Sequence, residues 1–353
     1  MREGTLPGGS RVRTVPVDRA VGLALAHDVT EIVPGVSKGR AFARGHIVRE
    51  TDVARLRRCG KEYLYVLELA DGDLHEDAAA EALAGALAGE GVERAGPARE
   101  GRIDLVAARD GMLTVDREAL LAFNLLGEVM CATLHDGTRV RRGERVAGTR
   151  AIPLAVSESV VREAVRAAGG GVVRVLALAR PRVGVVVTGS EVAHGLVKDG
   201  FGPLLARKAE ALGGEIAGVR VVADDEGEIA AALRALLEAG ANLLVATAGM
   251  SVDPDDRTRF AAARLGARGV SYGAAALPGS MCQIAYVPWD GGEVPFVGLP
   301  ACALAHEATV FDLLLPRLLA GERIGRRELA ALGHGGLCLR CEVCRFPVCP
   351  FGK

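Results

Sequence analysis

The sequence predicts an α/β protein: a mainly parallel-sheet domain with helices on both faces, preceded by smaller mixed α+β domains and followed by a cysteine-rich tail. Three observations lead there. Residues 183–187 are a continuous apolar run, and 242–247 are apolar between their polar ends, the pattern of strands buried on both faces. Helical stretches separate such runs at the spacing of βαβ units. Half of the residues are apolar and only 4% are aromatic, so the core must be built from Ala, Val and Leu.

A chain of 353 residues should form about two or three domains. Shifts in pattern divide it into 1–68, 69–179, 180–320 and 321–353. The formal charge of −1 argues against nucleic acid or an anionic membrane as the main partner. Residues 1–10 carry no apolar signal core, and no uncharged apolar run approaches the roughly 18 residues that span a bilayer. The expected location is therefore the cytoplasm.

In chain order, residues 15–29 carry an apolar pattern at helical spacing, 50–58 read as a helix, and 63–67 as a strand. Gly35 to Arg40 reads as a loop. Residues 76–90 are Ala-rich with acidic residues first, as suits the positive end of a helix dipole. Strands are expected at 103–107, 113–115 and 172–178, with turns at Asp110-Gly111 and Asp136-Gly137. Gly169-Gly170-Gly171 and Arg180-Pro181 bracket the join to the next domain.

The clearest region follows. A strand at 183–187 leads into Thr188-Gly189-Ser190-Glu191. A helix is expected at 201–212, a strand at 216–222, and a helix from Asp224-Asp225 to residue 239. A strand at 242–247 then leads into Ala248-Gly249-Met250-Ser251, and another helix begins near Asp256. Ligands of such sheets sit at the C-terminal strand ends, and the polar loops 188–199, 223–226 and 247–258 fall on that edge.

These loops admit two readings each. The turn at Thr188, Gly189, Ser190 and Glu191, with the helix start after Asp199-Gly200, suits a phosphate or an ordinary capped βα turn. Asp224, Asp225 and Glu226 suit a divalent cation, although an N-cap is the simpler reading. Asp253, Asp255 and Asp256 crowd three carboxylates beside a glycine, which one cap cannot explain; function is the better reading. Pro278-Gly279 and Gly298-Leu299-Pro300 are turns, or backbone placed against a ligand. His306 is expected on an apolar helix as a packing residue, and His334 in an exposed Gly-rich linker.

The tail holds Cys338, Cys341, Cys344 and Cys349 as C-x₂-C-x₂-C-x₄-C before Pro350. Four soft thiolates on a short loop point to an iron–sulfur cluster or Zn²⁺. The spacing is one residue longer than the bacterial ferredoxin run. Cys59, Cys131, Cys282 and Cys302 are scattered and read as small buried residues.

Taken together, residues 182–320 resemble the molybdopterin-binding domain shared by molybdopterin adenylyltransferase, molybdopterin molybdotransferase and the competence-damage-inducible proteins. The first loop, Thr188-Gly189-Ser190-Glu191, matches that family's Thr-Gly-Ser/Asp-Glu. Asp224-Asp225 matches its acidic pair. Thr247-Ala248-Gly249-Met250-Ser251, with Asp256 and Thr258, matches its third loop, and Pro278-Gly279 its Pro-Gly turn. The opening Val15 to Val29 and the stretch from Gly45 to Gly60 resemble the molybdotransferase N-terminal half.

The resemblance implies binding of molybdopterin, or of its adenylylated or metallated form, in molybdenum or tungsten cofactor biosynthesis or delivery. It implies Asp225 and Asp256 as catalytic Mg²⁺ holders. It implies contacts from Thr188, Gly189, Ser190, Glu191, Asp224, Thr247, Gly249, Met250, Ser251, Thr258, Pro278 and Gly279. ATP, molybdate, a molybdoenzyme client and a homodimer complete what it implies. If active, the protein would be molybdotransferase-like or adenylyltransferase-like. The alternatives are a non-catalytic carrier and a pyrophosphatase like the competence-damage-inducible proteins.

Departures stand beside the matches. Ala248 replaces a glycine, Ser280 follows Gly279 where the molybdotransferase has lysine, and its Pro-Gly-Asn-Pro turn is Pro300-Ala301-Cys302-Ala303. Its Ser-Ala-Met-Asp-Gly-Tyr loop gives way to Ser37-Lys38-Gly39-Arg40-Ala41-Phe42.

Overall fold

A computed structural model describes residues 3–5, 11–33, 37–68, 71–250 and 257–353. The chain divides into two compact units, one of residues 1–136 with 140–176, the other of 137–139 with 177–353.

The first unit opens with a three-stranded antiparallel sheet in which Arg11–Pro16 lies between Glu3–Thr5 and Tyr63–Glu68, and with helix Glu50–Arg58. Val15, Val17, Leu25, Phe42, Leu56 and Leu64 form its buried cluster. The apolar pattern at 15–29 is not a helix. Only Val17–Arg19 make a single 3₁₀ turn. The backbone bonds leave the segment instead: Val17 N–H donates to Glu62 O, Gly22 N–H to Val48 O and Leu25 N–H to His46 O. Gly22, at φ +84°, turns the chain out of a helical path. Packing against neighbouring segments, not local periodicity, placed those apolar residues.

Beyond it, strands Val129–Thr133, Arg145–Ala151, Arg102–Ala107 and Val92–Arg94 form an antiparallel sheet in that order. Helices Glu76–Leu87 and Glu158–Ala168 share a core with it through Leu83, Leu87, Leu105, Val129 and Val161. Glu158–Ala168 is capped by Ser157 and ends at Gly169, φ +59°.

The second unit is built on a six-stranded sheet. Its strands are β1 (Arg182–Thr188), β2 (Glu215–Val222), β3 (Leu243–Thr247), β4 (Arg268–Tyr272), β5 (Gln283–Trp289) and β6 (Gly292–Leu299). They lie in the order β2-β1-β3-β6-β5-β4. β1 pairs in parallel with β2 and β3, and β3 with β6, whereas β5 runs antiparallel to both β6 and β4. The helices are α1 (Ser190–Ala193), α2 (Phe201–Glu210), α3 (Glu226–Glu238), α4 (Thr258–Ala261), α5 (Val310–Leu319) and α6 (Arg326–Ala331).

Both faces of the sheet are covered. Val183, Val185 and Val187 pack with Phe201, Leu205, Leu314 and Leu318 of α2 and α5 on one side. Val186, Leu244 and Phe296 pack with Ile229, Leu233 and Leu236 of α3 on the other. Each fully buried aliphatic side chain contributes roughly 1.5–3 kcal/mol, so these rows define the fold. A Cβ at Gly184 would fall 2.8 Å from Leu236 Cβ, so glycine lets α3 lie close on β1. His306 is not helical. It lies between the 3₁₀ turn Ala301–Leu304 and α5, because the chain must extend there for Thr309 to cap α5.

Among the described residues no helix is long and apolar enough to cross a membrane.

Candidate functional site

Because β1, β2, β3 and β6 are parallel, their C-terminal ends share one edge. β5 starts where antiparallel β6 ends, which puts the Pro278-Gly279 turn on that edge too.

The first loop leaves β1 at Thr188, which is buried. Its Oγ1 donates to Thr247 O at 2.7 Å and lies 3.0 Å from Thr258 Oγ1. Gly189 follows at φ +137°, and a Cβ there would meet Glu191 Oε1 at 2.8 Å. Ser190 N–H donates to Asp224 Oδ2 at 3.2 Å, which ties the first loop to the second. The start of α2 is taken by the chain's own carboxylate: Asp199 Oδ1 accepts from Phe201 and Gly202 N–H at 2.7 and 3.1 Å. A phosphate there would meet that negative charge.

Asp225 is exposed and caps α3. Its Oδ1 accepts from Gly227 and Glu228 N–H at 2.8 and 2.9 Å. Those two donors hold its carboxyl below the usual aspartate range. Glu226 beside it pairs with Arg257 at 3.5 Å and Arg264 at 3.3 Å.

The third loop starts at Thr247, fully buried, whose Oγ1 has no partner among the described residues. Ala248 and Gly249 both take left-handed backbone, φ +63° and +55°. A Cβ at Gly249 would fall 2.3 Å from Thr258 Oγ1, so only glycine fits against α4. Met250 is buried over Gly298, where an added Cβ would meet Met250 Cε at 2.4 Å. Tyr272 OH, at the end of β4, donates to Met250 O at 2.6 Å. Ser251, Asp253, Asp255 and Asp256 lie outside the described residues.

Pro278 O accepts from Val310 N–H at 3.0 Å and Gly279 O from Cys282 N–H at 3.1 Å. Hydrogen bonds thus link the three loops into one rim: Asp224 to Ser190, Thr188 to Thr247, and Met250 to Tyr272. Sequence reasoning did not single out Tyr272 or Gln283. Gln283 Nε2 donates to Arg259 O while its Oε1 is buried without a partner among the described residues. A polar residue opening an otherwise apolar strand was its one visible signal.

Two groups of side chains offer metal-ligand chemistry. In the first unit, ligand atoms of His75, Glu76 and Asp77 lie within 4.8 Å of one another. They do not fit a metal, because both His75 nitrogens are engaged: Nδ1 accepts from Asp77 N–H and Nε2 donates to Ala26 O. In the tail, Cys338 and Cys349 are half-buried and Cys341 and Cys344 exposed, all as free thiols. No three of these sulfurs lie within 4.8 Å of one another. Arg340 N–H donates to Cys338 Sγ at 3.5 Å, the kind of bond that supports a ligating thiolate.

Residues 184–320 match the family model described as a probable molybdopterin binding domain. The match covers less than half of the chain. Residues 14–68 match a domain of unknown function. A CinA-like protein of Mycobacterium leprae is 40% identical over 83 residues, 24% of this chain and 19% of that protein. The chain thus spans about a fifth of the length of such curated relatives.

Among solved structures, the tungsten cofactor synthesizing protein MoaB of Pyrococcus furiosus is 19% identical to this chain, with a TM-score of 0.31. That likeness covers 38% of this chain and 87% of the other. The molybdopterin biosynthesis enzyme MoaB of Thermus thermophilus is 20% identical over 40% of this chain and 98% of its own, with a TM-score of 0.33.

Proposed function

We propose that the domain at 184–320 binds molybdopterin, or its adenylylated or metallated form, in molybdenum or tungsten cofactor biosynthesis or delivery. The observation that carries this reading is the hydrogen-bonded rim of three polar loops in a segment that matches the molybdopterin-binding family. The terminal phosphate of the pterin would lie near the backbone of the first and third loops, at Thr188 to Ser190 and Gly249 to Ser251. Backbone N–H donors offset an anion without a counter-charge that must itself be desolvated.

Asp225 and Asp256 would hold Mg²⁺ against that phosphate or a pyrophosphate. Hard carboxylate oxygens suit Mg²⁺, and Asp225 keeps its charge well into acid. Bound there, the metal would neutralise charge on a transferred phosphoryl or nucleotidyl group. Thr247, Thr258, Pro278 and Gly279 would shape the floor and far side. Cys338, Cys341, Cys344 and Cys349 would hold an iron–sulfur cluster or Zn²⁺. ATP, molybdate, a molybdoenzyme client, a second copy of the chain and a cytoplasmic setting belong to this reading. So does the division of the chain at 68, 179 and 320.

A second reading is a nucleotide-derivative pyrophosphatase. The 83-residue match to CinA-like proteins favours it. Incubation with molybdopterin, ATP and Mg²⁺ separates the readings. Formation or loss of the adenylylated pterin marks an enzyme, and retention without turnover marks a carrier. Hydrolysis of an unrelated pyrophosphate, with no pterin retained, would replace the first reading with the second. Asp256→Asn should weaken Mg²⁺-dependent pterin binding with the fold intact; unchanged affinity in a titration would remove that residue from the site.

A further inference from the structure

The cysteine tail is not a loose appendage of the second unit. Its first strand-like contact is a parallel bridge between Leu277 and Leu337. Leu277 N–H donates to Gly336 O at 2.7 Å, and Cys338 N–H donates to Leu277 O at 2.9 Å. The far end returns to the same place. Gly352 N–H donates to Gly335 O at 2.9 Å, and Phe351 is only 2% exposed. Both anchors are tight. A Cβ at Gly335 would fall 2.2 Å from Lys353 O, and one at Gly336 2.4 Å from Ala275 O. The cysteine loop, residues 338–350, is thereby closed on itself at its base.

Between those anchors the loop has no core. Leu339, Val343 and Val348 are 69%, 74% and 82% exposed. Phe346 is half-buried, and its ring meets the edge of Phe351 at the base of the loop. One such contact does not offset the entropy of ordering thirteen residues. Four thiols spaced for one centre can do so once a metal draws them together, as metal sites do in small domains that lack a core. Gathering these sulfurs around a single Zn²⁺ reorders the loop, because no three are now within 4.8 Å of one another.

The peptide that receives this loop is Leu277-Pro278-Gly279. Its other bonds run into the candidate pterin rim and the elements behind it. Pro278 O holds the first residue of α5 through Val310 N–H, and Gly279 O holds Cys282 N–H one residue before β5. Gly279 lies so close to α5 that a Cβ would meet Val310 Cγ1 at 2.5 Å. Cys338, a ligand residue by its spacing, is bonded through its own backbone to Leu277.

We propose that metal loading of the C-terminal cysteine loop tightens the Pro278–Gly279 turn, so that the state of the tail regulates the pterin rim. The identity of the regulated ligand rests on the reading under Proposed function; the mechanical link does not. Loading removes conformational freedom from the loop and strengthens the Gly336–Leu277–Cys338 bonds. Coupling is reciprocal: a ligand that orders the turn raises the affinity of the thiols for metal by the same factor.

The test uses the full chain, prepared anaerobically, with Zn²⁺ as the metal, and hydrogen exchange as the readout. Co²⁺ substitution reports thiolate ligation through its charge-transfer band. Zn²⁺ should slow exchange at Leu277 and, as remote reporters, at Cys282 and Val310 by at least about tenfold. The double variant Cys341→Ser/Cys344→Ser, at two exposed positions, should lose both the Co²⁺ band and the slowing while keeping the exchange pattern of the metal-free chain. Zn²⁺ bound with unchanged exchange at Cys282 and Val310 would overturn the proposal, and so would the absence of a thiolate–Co²⁺ band. Pterin affinity with and without Zn²⁺ is measured separately. Equal affinity removes the regulation but leaves pterin binding standing; slowed exchange with no pterin bound removes the pterin reading but leaves the link.

Discussion

The hydroxyl of Thr188 donates to the carbonyl of Thr247 at 2.7 Å, although 59 residues separate them. The bond runs between the ends of adjacent parallel strands. It makes two loops that are independent in sequence into one wall of a rim, and Thr258 completes the group at 3.0 Å.

Thr188→Val keeps the shape and removes the hydroxyl. It leaves Thr247 O and Thr258 Oγ1 short of a partner in a buried place, at a cost of about 1–3 kcal/mol. Urea unfolding should show this as a lower midpoint with an unchanged slope. Pterin affinity should fall with it, because the first and third loops lose their shared bond. A midpoint equal to wild type would show that the bond contributes nothing.

Ala248 sits at φ +63°, where a Cβ is crowded by its own backbone. Ala248→Gly should therefore raise stability by up to about 1 kcal/mol, the relief exceeding the added chain entropy of glycine. Its neighbour has the opposite sign. Gly249→Ala would push a methyl to 2.3 Å from Thr258 Oγ1, so it should destabilise the chain and disturb the third loop. Thermal melts of the two variants, moving in opposite directions, check both.

Asp225 separates two roles that one carboxylate can carry. Its depressed pKa means a stabilising contribution that is present above the ordinary aspartate value of 3.8 and lost as pH falls through the folded value. Asp225→Ala should lower the melting temperature near neutrality and flatten the acid limb of the stability curve. Asp225→Asn keeps an acceptor for Gly227 and Glu228 but removes the charge. It should lower the melting temperature near neutrality less than Asp225→Ala does and still lose Mg²⁺-dependent pterin binding. Equal Mg²⁺ dependence in the Asn variant would leave Asp225 as a cap alone.

Glu76 titrates in the opposite sense. Burial, then the Asp77 charge, pushes its carboxyl up to about 7. The folded chain keeps a proton there that the unfolded chain releases near 4.5, so stability from this group falls as pH rises between 4.5 and about 7. Glu76→Gln should remove that slope. Unfolding free energies at about pH 4 and about pH 8, on either side of that window, should differ less in the variant than in wild type. An unchanged difference would clear Glu76 of the effect.

Much of the second unit was legible because its strands are buried on both faces. The run expected at 183–187 is the centre of β1, that at 242–247 takes in the whole of β3, and the helices between them end within a few residues of expectation. The same reasoning failed at 15–29, where helical spacing arose from packing onto Leu56 and Leu64. It also passed over Val129–Thr133 and Arg145–Ala151, whose small and polar residues leave no strand signal. At the rim, the loop residues could be picked out by type, but Tyr272 and Gln283 could not. Their roles are bonds to backbone atoms of other elements, Met250 O and Arg259 O, and a side chain carries no local sign of a distant acceptor.

What the sequence determines by itself is local: which runs must be buried, where glycine is obligatory, and that four thiols share one short loop. Those follow from side-chain chemistry and chain geometry over a few residues. That Thr188 meets Thr247, that Asp199 occupies the start of α2, and that Leu277 ties the cysteine loop to the Pro278–Gly279 turn were decided only by the tertiary structure. Each depends on which strand ends adjoin, and strand order is set by the summed burial of the whole sheet rather than by any one stretch of chain.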